Sequence, residues 1–318
     1  MWRLKYNDGG QSHRTISEVE DRIMISSMRR REFLKLGSGL ALTAATPLAA
    51  WADEPPAKKR SIKKAVMYAT IGIKGSVLEK FQALKAAGFE GVEPMSHMNQ
   101  EEVLKALDQT GLKAASVCCN THWGQPLSHP DEKVRRQGRE GLELALRDAK
   151  RYGATSVLLV PGVVNKDVSY DDCFQRSVAQ IKQVVPMAKD LGVKIAVENV
   201  WNNFITKPEQ AIAFLNAIDS PVVGWHFDIG NVIRYGAPEE WIPVLGKRIL
   251  KLHIKEFSKA KGFGVKFFDG DNKWPAIMKA LDDAGYQGWG ISEQPGDQSK
   301  DADALKDLSE RMDKIIAS

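Results

Sequence analysis

A single α/β domain in which eight βα units close into a (β/α)8 TIM barrel is the fold this sequence predicts, on three observations. From Ala65 onward, short apolar runs alternate with amphipathic stretches, the rhythm of strand and crossover helix. Glycine recurs at the junctions, in Ala87-Gly88-Phe89, Thr110-Gly111-Leu112, Tyr152-Gly153-Ala154, Leu191-Gly192-Val193 and Ala284-Gly285-Tyr286, where a helix stop hands over to an apolar strand. No glycine-rich dinucleotide fingerprint follows the first apolar run, which sets the closed barrel above its rival, an open doubly wound sheet.

The expected strands are Ala65–Thr70, Glu90–Pro94, Lys113–Cys118, Ser156–Val160, Lys194–Glu198, Val222–Asp228, Ile249–Ile254 and Gly288–Glu293. Each is followed by a helical pattern. In the clearest, from Ser76 to Ala87, Val77, Leu78, Phe81 and Leu84 recur at helical spacing before Gly88 ends the run.

Ahead of the barrel, Arg29-Arg30-Arg31-Glu32-Phe33-Leu34-Lys35 precedes a small-residue apolar run from Leu36 to Ala50. Paired arginines followed by Phe-Leu-Lys match the twin-arginine export signal. The apolar run contains Pro47 and falls short of the ~20 residues that a membrane-crossing helix needs. Ala50-Trp51-Ala52 fits the small-x-small cleavage rule. Residues 1–52 are therefore expected to be a cleavable leader read by the twin-arginine machinery, with Met24 and Met28 as alternative starts. An uncleaved anchor is the competing reading. A linker over 53–64, with Pro55-Pro56 and a Lys/Arg cluster, then leads to a barrel over 65–318. The expected destination is the periplasm, with no stable membrane association of the mature protein.

Charge narrows the partners. The whole chain carries +5, but its first 52 residues hold eight Lys or Arg and five Asp or Glu, leaving only +2 on the rest. Such a balance is no footprint for nucleic acid, whose binding rests on neutralised phosphates. The cysteines, Cys118, Cys119 and Cys173, include an adjacent pair badly placed for a bridge, so no disulfide framework is expected.

Strand ends of a (β/α)8 barrel meet at one mouth, so polar residues that finish successive strands become neighbours. The fifth expected strand finishes with Val197-Glu198-Asn199, the sixth with His226-Phe227-Asp228, the seventh with His253-Ile254-Lys255 and the eighth with Ser292-Glu293. Three carboxylates brought together away from water repel one another unless a cation lies among them. Glu198, Asp228, His253 and Glu293 are thus candidate ligands of a divalent metal. Mostly oxygen donors suit Mn2+ first, then Mg2+ or Co2+. The competing reading is a salt-bridge layer in which Lys255 and other bases pair with the acids. Lys255 stands two residues after His253, so strand alternation points both the same way, and Lys255 is a candidate catalytic cation for an oxyanion.

With these motifs in place, the chain from about Ile62 to Ile316 resembles the sugar phosphate isomerase/epimerase family, the xylose isomerase-like barrels that include ketohexose 3-epimerases. The resemblance implies that Glu198 and Glu293 also exchange a proton with the substrate. It implies proton abstraction beside a carbonyl and an enediolate on the way to an isomerised or epimerised sugar. The match departs at Asn231, where the sugar epimerases tend to carry His, and near Lys255 and Lys259, where they tend to carry Arg.

Around the mouth, Glu93, His122, Trp123, Trp201 and Asn231 are the candidate substrate-binding residues. Glu93 and His122 are expected to meet hydroxyls, and the two indoles to cover the C–H face of a sugar. His226 is expected to be a core hydrogen-bonder one layer deeper. Export and the lack of a phosphate-cradling loop favour an unphosphorylated small-molecule carbohydrate. A 3-keto-glycoside lyase or hydratase, sharing the same proton step, and a non-catalytic sugar-binding barrel are the alternatives.

Overall fold

The computed structural model describes residues 60–318; the expected leader and most of the expected linker lie outside them. The strands are β1 (Ile62–Met67), β2 (Gly91–Glu93), β3 (Lys113–Ala114), β4 (Val117–Cys118), β5 (Ser156–Leu159), β6 (Lys194–Glu198), β7 (Val223–Asp228), β8 (Ile249–Ile254) and β9 (Gly288–Ser292). All neighbouring pairs are parallel, in the order β3-β2-β1-β9-β8-β7-β6-β5-β4.

The two ends of that order, β3 and β4, are halves of one stave interrupted at Ala115 and Ser116. Its first half pairs with β2 and its second with β5. Cys118 also bridges to Met95, and the Cys119 amide donates to the Leu158 carbonyl at 3.0 Å. The sheet thereby comes round on itself as the expected barrel. Its first strand starts earlier than the sequence rhythm suggests: Ile62 is buried and Lys63 and Lys64 pair with β9, so these three residues are strand and not linker. Lys64 misleads because its ammonium bonds Ser309 and Asp313 while its stem is buried.

Helices α1 (Val77–Ala86), α2 (Gln100–Thr110), α3 (Glu132–Tyr152), α4 (Tyr170–Leu191), α5 (Pro208–Ile218), α6 (Ile229–Val232), α7 (Pro238–Leu245), α8 (Trp274–Asp283) and α9 (Ala302–Ala317) accompany the strands. Ser76 and Glu79 form a capping box that starts α1. The five junction glycines all have positive φ, between 66° and 89°, a backbone that L side chains resist. That conformation turns the chain from helix to strand at five successive joints.

Packing separates into two cores. The larger lies between strands and helices and includes Phe81, Leu84, Trp225 and Trp274. The smaller, Ala65, Ala115 and Ile291 with Met67 and Trp289 against it, brings the third stave onto the paired strands β1 and β9, which it does not adjoin, and so fills the barrel interior. Register then sets the mouth. Glu198 lies beside His226, and Asp228 beside His253, across adjacent strands.

Candidate metal centre

His253 is the hub. Fully buried near the end of β8, it reaches Glu198 Oε1 from Nδ1 at 2.7 Å, and the same nitrogen lies 3.2 Å from Glu293 Oε2 and 3.9 Å from Asp228 Oδ2. Ligand atoms of Glu198, Asp228, His253 and Glu293 all lie within 4.8 Å of one another. The expected four residues are therefore brought together, and all three carboxylates face one nitrogen.

The opposite nitrogen explains why. His253 Nε2 meets Glu93 Oε2 at 3.0 Å, both side chains being sealed from solvent. A carboxylate on one ring nitrogen holds the imidazole so that the other is turned toward the acids. Glu93, expected to meet a hydroxyl at the mouth, is instead wholly buried against the histidine. The strand-end position is as expected, since β2 stops at Glu93, but the carboxylate is spent on the imidazole.

Two asparagines set Asp228. Asn199 Oδ1 accepts from the Asp228 amide at 3.1 Å and the Trp225 indole at 3.0 Å, while its Nδ2 donates to the Asp228 carbonyl at 2.8 Å. Asn231 donates its backbone N–H to Asp228 Oδ1 at 2.8 Å and its side-chain amide to Oδ2 at 2.6 Å and to the Asn199 carbonyl at 3.1 Å. Asn231 thus has its amide hydrogens committed to the acid and the strand end, a positioning role beside the substrate-binding one expected of it. Gly230 permits the close approach of β8: a Cβ there would lie 2.8 Å from the Lys255 carbonyl oxygen and 2.9 Å from its Cβ.

Lys255 bonds Glu293 Oε2 at 2.8 Å and lies 3.6 Å from Asp228 Oδ2, with Phe263 over its ammonium at 4.5 Å. The competing salt-bridge reading is therefore partly present. It leaves an imbalance: Glu93, Glu198, Asp228 and Glu293 face Lys255, a protonated His253 and, on the Glu93 side, the buried Lys251. The carboxyls register it. Burial pushes Asp228 well above its usual range, Lys255 opposing and Glu293 and Glu198 adding repulsion. Burial likewise raises Glu198, against the pull of His253. Burial works against ionisation of Glu293 too, but Lys255 and His253 hold it well below the usual range. For His253, burial favours the neutral ring, yet the surrounding Glu293, Glu93 and Glu198 push its pKa well up. A carboxylate-rich set with one oriented imidazole and a surplus of negative charge fits a divalent cation in place of the Nδ1 proton.

The remaining candidates divide. Trp201 stands at the rim, its indole N–H donating to the Asn231 carbonyl at 2.9 Å and its ring packed on Phe257 and Phe263. Trp123 is 54% exposed and meets His122 edge-on. His122 is buried, and its Nδ1 accepts the Val160 amide at 3.2 Å. His226 does not bond as expected: its ring packs against His253 at 4.2 Å with neither nitrogen partnered among the described residues.

Burial depresses the His122 pKa to about 3, with Glu293 opposing. A histidine whose folded pKa is lowered loses stability as pH falls from its unfolded value of ~6.5 toward the folded one. His122→Asn keeps an acceptor for Val160 and removes the titration. Between pH 6 and 4, the wild type is expected to lose about 1.4 kcal/mol per pH unit more unfolding free energy than the variant. Urea titrations across that window read this, and parallel curves would rule it out.

Residues 81–315 match the model of the xylose isomerase-like TIM barrel family. L-ribulose-5-phosphate 3-epimerase UlaE of Escherichia coli O157:H7 is 26% identical over 226 residues, covering 66% of this chain and 79% of its own. Among solved structures, a D-tagatose 3-epimerase-like protein superposes with a TM-score of 0.69 at 22% identity, over 80% of this chain and 97% of that one. The IOLI protein, solved with a zinc atom, superposes with a TM-score of 0.69 at 17% identity, over 80% and 98%. The stretch matched by the family model holds every donor at the His253 hub, and the chain belongs to the xylose isomerase-like TIM barrels.

Proposed function

We propose that this protein is a metal-dependent sugar isomerase or epimerase that removes a proton beside the carbonyl of an unphosphorylated sugar. One observation carries the reading: three carboxylates and one oriented imidazole converge at the barrel mouth, with Glu198 and Glu293 both within 3.2 Å of His253 Nδ1. A divalent cation, Mn2+ by donor chemistry, supplies a Lewis acid there. Glu198 or Glu293 takes the α-proton, the sugar becomes an enediolate, and the proton returns to the neighbouring carbon or the opposite face. Lys255, bonded to Glu293, is placed to steady the charge that develops on oxygen.

Its relatives include an epimerase of a phosphorylated sugar and a tagatose-epimerase-like protein. Lys255, the cation at the hub, is already bonded to Glu293 and set among acids, an electrostatic setting that disfavours a phosphate. The Asn231 and Lys255 departures keep the lyase or hydratase outcome as a second reading, since both outcomes begin with the same proton. The test is a screen of unphosphorylated ketoses and keto-glycosides with Mn2+-loaded protein in deuterated water, followed by NMR. Deuterium at the carbon beside the carbonyl is the expected result; absence of exchange and of label transfer from α-deuterated substrate defeats it.

The proposed place of action is the periplasm, supported by the twin-arginine pattern at Arg30 and Arg31. Arg30→Lys with Arg31→Lys is expected to leave nearly all the protein in the cytoplasmic fraction, because the transport receptor reads the arginine pair. Fractionation with undiminished periplasmic protein would point to another route. Among the described residues, no helix is long and apolar enough to cross a membrane.

A further inference from the structure

Beside the hub lies a groove of about 680 Å3 that contains none of the four candidate ligands. Its walls come from the loops after β6, β7 and β8, so it opens on the same end of the barrel. Trp201 is the shared wall: its indole bonds Asn231, which in turn bonds Asp228. Neither His253 nor any of the three carboxylates lines the groove.

We propose that the groove is a subsite for a second sugar residue, so that the substrate is a glycoside whose reacting ring lies at the metal centre. The inference rests on the sugar reading of the mouth and adds the substrate class. Volume suits it, since pockets for small organic ligands run roughly 300–1,000 Å3. Trp201 and Phe257 line one wall, where they pack on each other and on Phe263 and supply a rigid apolar side to the groove. Arg234 stacks over the Trp201 ring at 4.7 Å, which holds its guanidinium fork in place. Among the described residues, no side-chain hydrogen bond or ion pair of Arg234, Lys259 or Glu240 competes with a ligand for their polar ends. The neighbouring Lys273 and Glu239 pair with each other at 3.6 Å. Three bases, Arg234, Lys259 and Lys273, face three acids, Glu239, Glu240 and Asp271. That balance suits a neutral polyhydroxylated ring, which offers each a hydroxyl, over a phosphate or a polyanion.

The test compares D-fructose with isomaltulose and turanose, two glucosyl-fructoses, by calorimetry and saturation-transfer NMR on protein loaded with diamagnetic Mg2+. The disaccharides are expected to bind about tenfold more tightly than fructose, with saturation on the glucosyl protons. In an Arg234→Ala, Glu240→Ala double variant the ratio is expected to fall to about twofold or less. Equal affinity of mono- and disaccharides, binding of none, or a ratio untouched by the double substitution overturns the proposal. A thermal melt of the variant matching the wild type guards against misfolding, and the single variants Arg234→Lys and Glu240→Gln give the same ratio test if the double variant is unstable. Because affinity is read without turnover, a disaccharide preference without deuterium exchange keeps the groove and removes the epimerase reading, and exchange without the preference does the reverse.

Discussion

Replacing Glu198 or Glu293 by glutamine is expected to lower exchange of the sugar α-proton with solvent by a factor on the order of 10²–10⁴, the usual worth of a positioned general base. Glutamine keeps the size and one acceptor oxygen of each side chain but cannot take a proton. Both carboxylates also sit within reach of His253 Nδ1, at 2.7 Å and 3.2 Å, so each substitution also removes charge from the metal centre. Metal content therefore has to be measured on the same sample. A metal-loaded glutamine variant that exchanges deuterium at the wild-type rate would remove that residue from the proton path. If only one of the two variants loses exchange, the proton leaves and returns on one side of the sugar, which favours isomerisation between neighbouring carbons. Loss in both favours epimerisation with the acids on opposite faces.

The second large effect concerns the cation. Asp228→Ala and His253→Ala each delete one of four donors, and both variants are expected to leave purification without stoichiometric metal. Glu93→Gln is the informative contrast. Glu93 lies outside the four-donor set, and the change weakens the acceptor on His253 Nε2; outer partners of this kind are worth about 10–100-fold in affinity. Competition against a chelator with a metal-sensitive dye separates the three. Full occupancy in either alanine variant would dissolve the assigned site, and unchanged affinity in Glu93→Gln would leave Glu93 as core packing only.

The fold was legible because its signals are local. Periodicity located all the staves, and the strands that end in Glu198 and Ile254 match their expected bounds. Helix-stop glycines marked the joints since a positive φ is a property of one residue and its neighbours. The four candidate ligands were legible for a related reason. Barrel topology carries every strand end to one mouth, so a polar residue closing an apolar strand announces its place without any knowledge of its partners.

Depth and partnership were not legible. Glu93 and Glu198 both end strands, yet one lies behind His253 and the other in front of it, because how far each stave rises depends on its stagger against the next. Asn199 follows a ligand and Asn231 trails one by three residues, and nothing in either context says that both grip Asp228. The break of the third stave at Ala115 and Ser116 and the early start of the first at Ile62 follow from pairing across the barrel. Arg234 and Glu240 met as neighbours of one groove only through the meeting of three loops. Which residues form strands and end them is written in the order of neighbours along the chain; which side of an imidazole a carboxylate occupies depends on distances between strands far apart in sequence, and those exist only once the barrel has closed.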